Sequence, residues 1–330
     1  GVGSSNCLPK TAWPPTYYSV VVVASAMAKF TNTLVEYASY FYKVNNNKEY
    51  DTILASGEQI SVGIFALALE ELGLKSYSLL AWQVPIITDN LHANAQILKI
   101  DSKNLNNLIN KGFIPVVAGF QGVTVDNCLT TLGRGGSDTT AVAIAGAIKA
   151  QGCYIYTDVN GIFTCDPNVV KEAKSIKEIY FPELIEMASS GAKVIHCRAV
   201  ELAFKYNLPL YIKSTFSNKR GTLIKQGETG VEQPLINAIV TSRNEVMFTI
   251  KNIPKVGNID LQLLNKVLEA GINIDLINKE IKTNSITLFF VISRDNLEIV
   301  LKVLKDTKKL IKHSNISFNT EVAKLSIVGV

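Results

Sequence analysis

Thr131-Leu132-Gly133-Arg134-Gly135-Gly136-Ser137-Asp138-Thr139-Thr140, running into Ala141-Val142-Ala143-Ile144-Ala145-Gly146-Ala147-Ile148, is a glycine-rich turn that opens a helix of small apolar residues. Glycine lets a backbone approach a ligand closely, and a helix start presents free N–H groups and a positive dipole end to anions. Ser137 and Asp138 read as N-cap residues. Arg134 adds a planar fork suited to a carboxylate, and Asp138 beside an anion makes sense as an organiser of cations. The glycines alone fit an ordinary turn and cap equally well; Arg, Ser and Asp at the same helix entrance favour an anion cradle. It is not a Walker loop, which needs Gly-Lys-Ser/Thr. Nor is it a dinucleotide fingerprint, because no strand stands clearly before it and no ribose-binding acid follows.

Outward from the cradle, apolar strand-like runs at residues 18–24, 114–118, 154–157 and 209–212 alternate with amphipathic stretches at 33–43, 59–72, 139–150, 182–189 and 198–206. That alternation predicts a layered α/β domain with a mostly parallel central sheet. Residues 214–234 turn rich in Ser, Gly, Lys and Gln, which places a boundary near residue 235. Beyond it, strands at 246–250, 272–278 and 285–292 and helices at 260–270 and 296–304 make two βαβ-like halves, a small ferredoxin-like α+β module. Residues 322–330 read as a fresh apolar strand.

With 330 residues, 47% hydrophobic and 18% charged, the chain has the composition of a two-domain globular protein. Apolar runs such as 20–26 and 286–292 fall short of the ~20 residues that cross a bilayer, so no membrane association is expected. The opening residues lack the charged-then-apolar order of a secretion signal. Five scattered cysteines give no disulfide framework or thiolate zinc site, and a reducing cytoplasm is the expected setting. Three distant histidines form no helical metal pair, so any metal is a hard cation held by carboxylates and phosphates. The net charge of +5 owes much to Lys302, Lys305, Lys308, Lys309 and Lys312, the solvated face of an amphipathic helix rather than a nucleic-acid surface.

Three further stretches carry polar chemistry. Thr157-Asp158 ends a strand and leads through Asn160-Gly161 and Phe163 to Asp166-Pro167, so polar groups collect at a strand's carboxyl end. The same residues are ordinary turn formers. Glu58, in Leu54-Ala55-Ser56-Gly57-Glu58, reads first as a helix-entrance carboxylate and otherwise as a partner for a substrate ammonium. Lys193, in Gly191-Ala192-Lys193-Val194-Ile195-His196, is either a surface lysine or a phosphate contact.

Taken in order, the motifs at 54–58, 118–122 (Ala-Gly-Phe-Gln-Gly), 130–138, 157–167, 191–196 and 221–224 (Gly-Thr-Leu-Ile) resemble those of aspartokinases, over nearly the whole chain. The resemblance implies an amino-acid-kinase-like domain over 1–235 and an ACT regulatory module over 236–321, with 322–330 the first strand of a second ACT domain. It implies MgATP-dependent phosphorylation of the L-aspartate side-chain carboxylate to 4-phospho-L-aspartate, the entry to lysine, threonine and methionine synthesis. Thr31, Glu58, Phe120, Arg134, Gly135 and Ser137 would hold aspartate, with Arg134 and Asp138 acting in catalysis. Thr157, Asp158, Phe163, Asp166, Asn168, Lys193 and Val194 would hold ATP, with Mg2+ carried mainly by its phosphates and no dedicated protein metal site. Val256, Gly257, Asn258, Asn273 and Ile274 stand where a lysine or threonine effector would bind, between ACT domains paired in a homo- or hetero-oligomer.

The pattern also departs from the family. Residues 1–10 carry no strand and Lys-Phe-Gly-Gly motif, so the family's phosphate-binding lysine has no counterpart; Asn168 stands where arginine is usual and Cys197 where proline is usual. Weak turnover is the expectation, as though both ends were cut. The alternatives are a regulatory chain that binds amino acid or nucleotide, and a kinase acting on glutamate or an N-acyl amino acid.

Overall fold

The computed structural model describes residues 19–41, 47–192, 194–227, 236–307 and 314–329. The chain divides into two compact units, one running to Ala238 and including the chain from Val328, the other Ile239–Ile327.

The first unit begins β1 (Val22–Ala24), α1 (Phe30–Ser39), α2 (Lys48–Glu71), β2 (Ser76–Leu79), β3 (Ile86–Thr88), β4 (Ile97–Ile100) and α3 (Lys103–Asn110). It continues β5 (Ile114–Ala118), β6 (Gln121–Val123), β7 (Leu129–Thr131), α4 (Gly136–Ala147), β8 (Cys153–Thr157) and β9 (Glu178–Tyr180). It closes with α5 (Phe181–Ser189), α6 (Cys197–Lys205), β10 (Leu210–Ser214) and β11 (Thr222–Lys225). β5 runs parallel between β1 and β2, and its apolar Ile-Pro-Val-Val-Ala run is what a strand covered on both faces requires. Alternation along it sends Val117 into a core with Leu79, Ile86, Leu105 and Ile144, and Val116 and Ala118 into another with Val62, Ala66 and Leu69. The other strands form two further hydrogen-bonded sheets, β8-β10-β11-β9 and β4-β3-β6-β7, each mixing parallel and antiparallel pairs.

Helix α2 starts well upstream of the expected residue 59. Its cap is Asn47, whose Oδ1 accepts from the Tyr50 N–H at 2.9 Å, with Glu49 and Asp51 in the first turn. Asn47→Ala is expected to remove about 1 kcal/mol of stability, read as a lowered Tm. The extra length gives α2 the reach and hydropathy of a bilayer-crossing helix, contrary to the count of short apolar runs. Its Val62, Ala66 and Leu69 pack against Val116 and Ala118 of β5, as a core helix does.

The second unit contains β12 (Ile236–Pro254), α7 (Ile259–Glu269), β13 (Leu276–Ile281), β14 (Ser285–Ser293), α8 (Leu297–Asp306) and β15 (Asn315–Gly329), with the outer ends of β12 and β15 in the first. The strand order β13-β14-β12-β15 with two helices is the ferredoxin-like arrangement of an ACT module. Inward residues of β12 and β14, including stacked Phe248 and Phe290, meet Leu263 and Val267 of α7 and Val300 and Leu304 of α8. Lys302 and Lys305 lie on the exposed face of α8, while Lys308, Lys309 and Lys312 fall outside the described residues. No separate strand starts at Val322: β15 is continuous from Asn315, because polar Asn319 and Glu321 are exposed and Thr320 only half-buried, which the strand tolerates.

Candidate active site

The parallel strands β1 and β5 end side by side, with the Gly119 N–H donating to Ala24 O at 3.0 Å, so the loops after both open at one carboxyl edge. Against this edge lies the start of α4. A Cβ on Gly119 would fall 2.8 Å from Ser137 Oγ, so only glycine lets the helix approach this closely. The result is a cleft of about 280 Å³ lined by Ser25, Ala26, Thr31, Glu58, Phe120, Gly133, Arg134, Gly135, Gly136, Ser137 and Asp138. All of the expected substrate residues meet there, together with Asp138.

Two local expectations change. A strand, β7, does precede the glycine-rich turn; with three residues it is too short to announce itself by alternation. The cap of α4 is Gly135, in the left-handed region at φ 69°, rather than Ser137 or Asp138, which occupy the first helical turn. Gly133, at φ 76°, shares that conformation and accepts from the Gly136 N–H at 3.0 Å. The Leu-Gly-Arg-Gly-Gly turn therefore closes on itself, with Arg134 at its apex.

Glu58 is in mid-helix rather than at a helix entrance, which removes the capping explanation for it. Gly57 beside it brings α2 against the loop after β1: a Cβ there would sit 2.9 Å from Ala26 Cβ. The buried carboxylate accepts the Ala26 N–H at Oε1, 3.0 Å, while its buried Oε2 has no partner. Burial pushes Glu58 up to about 7, against the opposing pull of the Ala26 hydrogen bond, and pushes Asp138 up to about 6. An acceptor short of a donor, in a cleft with an arginine, suits a ligand carrying both an ammonium and a carboxylate.

The expected nucleotide residues lie elsewhere in the unit. Thr157 ends β8, and its hydroxyl donates to Asp158 Oδ1 at 3.1 Å. Phe163 bridges to Ser175, and Asp166 accepts the Asn168 N–H at 2.8 Å, the Asp-Pro turn that the sequence also allowed. Val194 lies in the turn before α6, whereas Lys193 falls outside the described residues. None of the described members of this second group lines the cleft. His196, two residues after Val194, packs against the cradle: its Cβ would lie 2.2 Å from a Cβ on Gly135. Burial, then the charges of Arg198 and Arg134, hold His196 below its ordinary range. Among the described residues no three His, Cys, Asp or Glu side chains gather as a metal cage.

In the second unit, Val256, Gly257 and Asn258 form a short turn of 3-10 helix leading into α7, with Gly257 and Asn258 at positive φ. Asn273 and Ile274 follow the other end of α7 and precede β13 instead of lying in it, because the strand begins only at Leu276. The two stretches are thus separated by a helix about 16 Å long. The sequence did not point to Ser25 or Ala26 as cleft-lining residues; the approach of the loop after β1 to α2 and α4 creates those contacts.

A layered α/β unit with a cleft at the strand edge and a glycine-rich cradle at a helix start fits an amino acid kinase, and the sequence pattern of the amino acid kinase family matches residues 12–214. Aspartokinase of Geobacillus stearothermophilus is 42% identical over 313 residues, 94% of this chain and 75% of its own. That of Rickettsia felis is 43% identical over 316 residues, 94% and 77% of the respective chains. The chain belongs to the aspartokinase family. In structure it is similar to E. coli aspartokinase III in complex with aspartate and ADP, with a TM-score of 0.74 and 26% identity over 91% of this chain and 67% of that one.

Proposed function

We propose that the chain is an aspartate kinase that transfers the terminal phosphoryl group of ATP to the side-chain carboxylate of L-aspartate. The observation that carries this reading is the cleft in which Glu58 Oε2 lacks a donor and Arg134, Ser137 and Asp138 stand at the start of α4. Glu58 faces the ammonium of aspartate and Arg134 grips a carboxylate, which leaves the other carboxylate to react. One of its oxygens forms the new bond to the γ-phosphorus as the bond to the β,γ-bridging oxygen breaks; ADP departs with that electron pair, and no proton moves. Such a transfer asks the protein for alignment and charge stabilisation rather than covalent chemistry. The helix start and Arg134 supply positive potential.

ATP is assigned to Thr157, Asp158, Phe163, Asp166, Asn168, Lys193 and Val194 at the carboxyl end of β8, with the turn at His196 as their link to the cradle. Mg2+ would travel on the ATP phosphates, with Asp138 as the carboxylate at hand; it would offset phosphate charge during transfer. The second unit, as an ACT module, is assigned lysine or threonine as effector at Val256–Asn258 and Asn273–Ile274. The separation of these stretches along α7 supports a site shared between two paired modules. A related structure, E. coli aspartokinase III in complex with lysine and aspartate, is consistent with such an effector. A cytoplasmic setting suits free cysteines and an ATP-dependent biosynthetic step.

Hydroxylamine traps an acyl phosphate as a coloured hydroxamate. The expected result is a signal that requires both L-aspartate and MgATP and that glutamate or an N-acyl amino acid does not replace. Aspartate binding in calorimetry without any hydroxamate would identify a regulatory chain instead, and no binding of either ligand would remove the site assignment.

A further inference from the structure

Asp51 lies two turns ahead of Glu58 on the same face of α2 and is fully buried. A buried carboxylate is costly unless its lone pairs are filled. Here they are filled from two directions. Thr131 Oγ1, at the end of β7, donates at 2.5 Å to Oδ1. Ala93 N donates to the same oxygen at 3.0 Å, and His92 Nδ1 lies 2.6 Å from Oδ2.

These partners are the backing of the arginine turn. Thr131 O accepts the Ala95 N–H at 2.9 Å, and Gly133 runs so close to the 91–95 loop that a Cβ would sit 2.9 Å from Asn94 Oδ1 and 3.0 Å from Ala93 O. Ala93 holds a left-handed conformation at φ 65° within this clasp. From the other side Arg198 of α6 donates to Leu132 O at 3.0 Å and Ala95 O at 2.7 Å. The chain entering Arg134 is therefore clamped by a buried anion from α2 and a cation from α6. Asp51, His92 and Thr131 do not line the cleft.

We infer that Asp51, through Thr131 and the 91–95 loop, is a positioning residue that fixes Arg134 relative to Glu58, so that one helix sets the spacing between the groups that read the two ends of the amino acid. This inference rests on the assignment of Glu58 and Arg134 to aspartate.

The test is calorimetric titration of the full chain with L-aspartate and, separately, MgADP. Thr131→Val keeps the β-branched shape and removes the hydroxyl; Thr131→Ser restores it; Asp51→Asn removes the charge. Thr131→Val and Asp51→Asn are expected to weaken aspartate binding about tenfold or more, with Thr131→Ser and MgADP binding within twofold of wild type. Folding of each variant is followed by circular dichroism and Tm; if Asp51→Asn does not fold, Thr131→Val decides. Folded Thr131→Val that binds aspartate within twofold of wild type overturns the inference, as does equal weakening of both ligands, the mark of a merely structural role. Arg134→Ala separates the two levels: if it leaves aspartate affinity intact, the substrate assignment itself fails and this inference with it.

Discussion

Replacing Arg134 with alanine is expected to lower aspartate-dependent acyl phosphate formation by about 10² to 10³, the usual cost of removing one preorganised electrostatic donor. The size of the effect follows from where the turn puts the side chain. Gly133 and Gly135 flank it in left-handed conformation, and the Gly136 N–H to Gly133 O bond closes the turn between them. The position from which the side chain projects is thus set before substrate arrives. Arg134→Lys keeps the charge but loses the fork, so an intermediate loss is expected, expressed mainly as a higher KM for aspartate. Hydroxamate formation across an aspartate series measures both, with MgADP titration as the control for the nucleotide site. Wild-type kcat/KM in Arg134→Ala would falsify the assignment of this residue to substrate.

The sequence made the cradle and the β5 layer legible for physical reasons that did not extend to their surroundings. Ile114–Ala118 reads as a strand because both faces are buried, so every position had to be apolar. The Gly-Arg-Gly-Gly-Ser-Asp turn reads as a ligand site because Arg, Ser and Asp gather with the glycines at one helix entrance. By contrast β7 has three residues and shows no period, and the first turns of α2, with Ser56 and Gly57 inside the helix, carry no clear apolar period of their own. Gly57 is there for contact with Ala26, a requirement visible only once β1 and α2 are side by side. Asp51 went unnoticed for the same reason. Its partners His92 and Thr131 lie 41 and 80 residues away, and nothing local marks an aspartate in a helix's first turn as buried. The neighbours of Glu58 mark it as a candidate, but its chemistry comes from burial and from the donor that Ala26 offers.

That chemistry gives the second large effect. Folding lifts Glu58 from an ordinary 4.5 to about 7, chiefly by burial. Between these values the native chain keeps a proton that the unfolded chain has released. Stability from this group is therefore fully present below pH 4.5, falls as pH rises towards 7, and levels off above it. The accumulated loss is about 3 kcal/mol. Glu58→Gln mimics the protonated acid: its carbonyl still accepts from Ala26, and an amide stands where the unpartnered oxygen was. The unliganded variant is expected to match wild type in Tm near pH 4 and to exceed it progressively up to pH 8. Aspartate reverses the order. With Glu58 as the proposed ammonium partner, the ligand would supply the missing partner for Oε2 and stabilise the carboxylate, so wild-type affinity is expected to rise with pH through 7, while Glu58→Gln is expected to bind weakly with a flat profile. Melting curves with and without aspartate across pH 4–9 test both halves together. A constant Tm offset between the two proteins at every pH would mean that Glu58 does not titrate on folding, and its role as the ammonium partner would lose its physical basis.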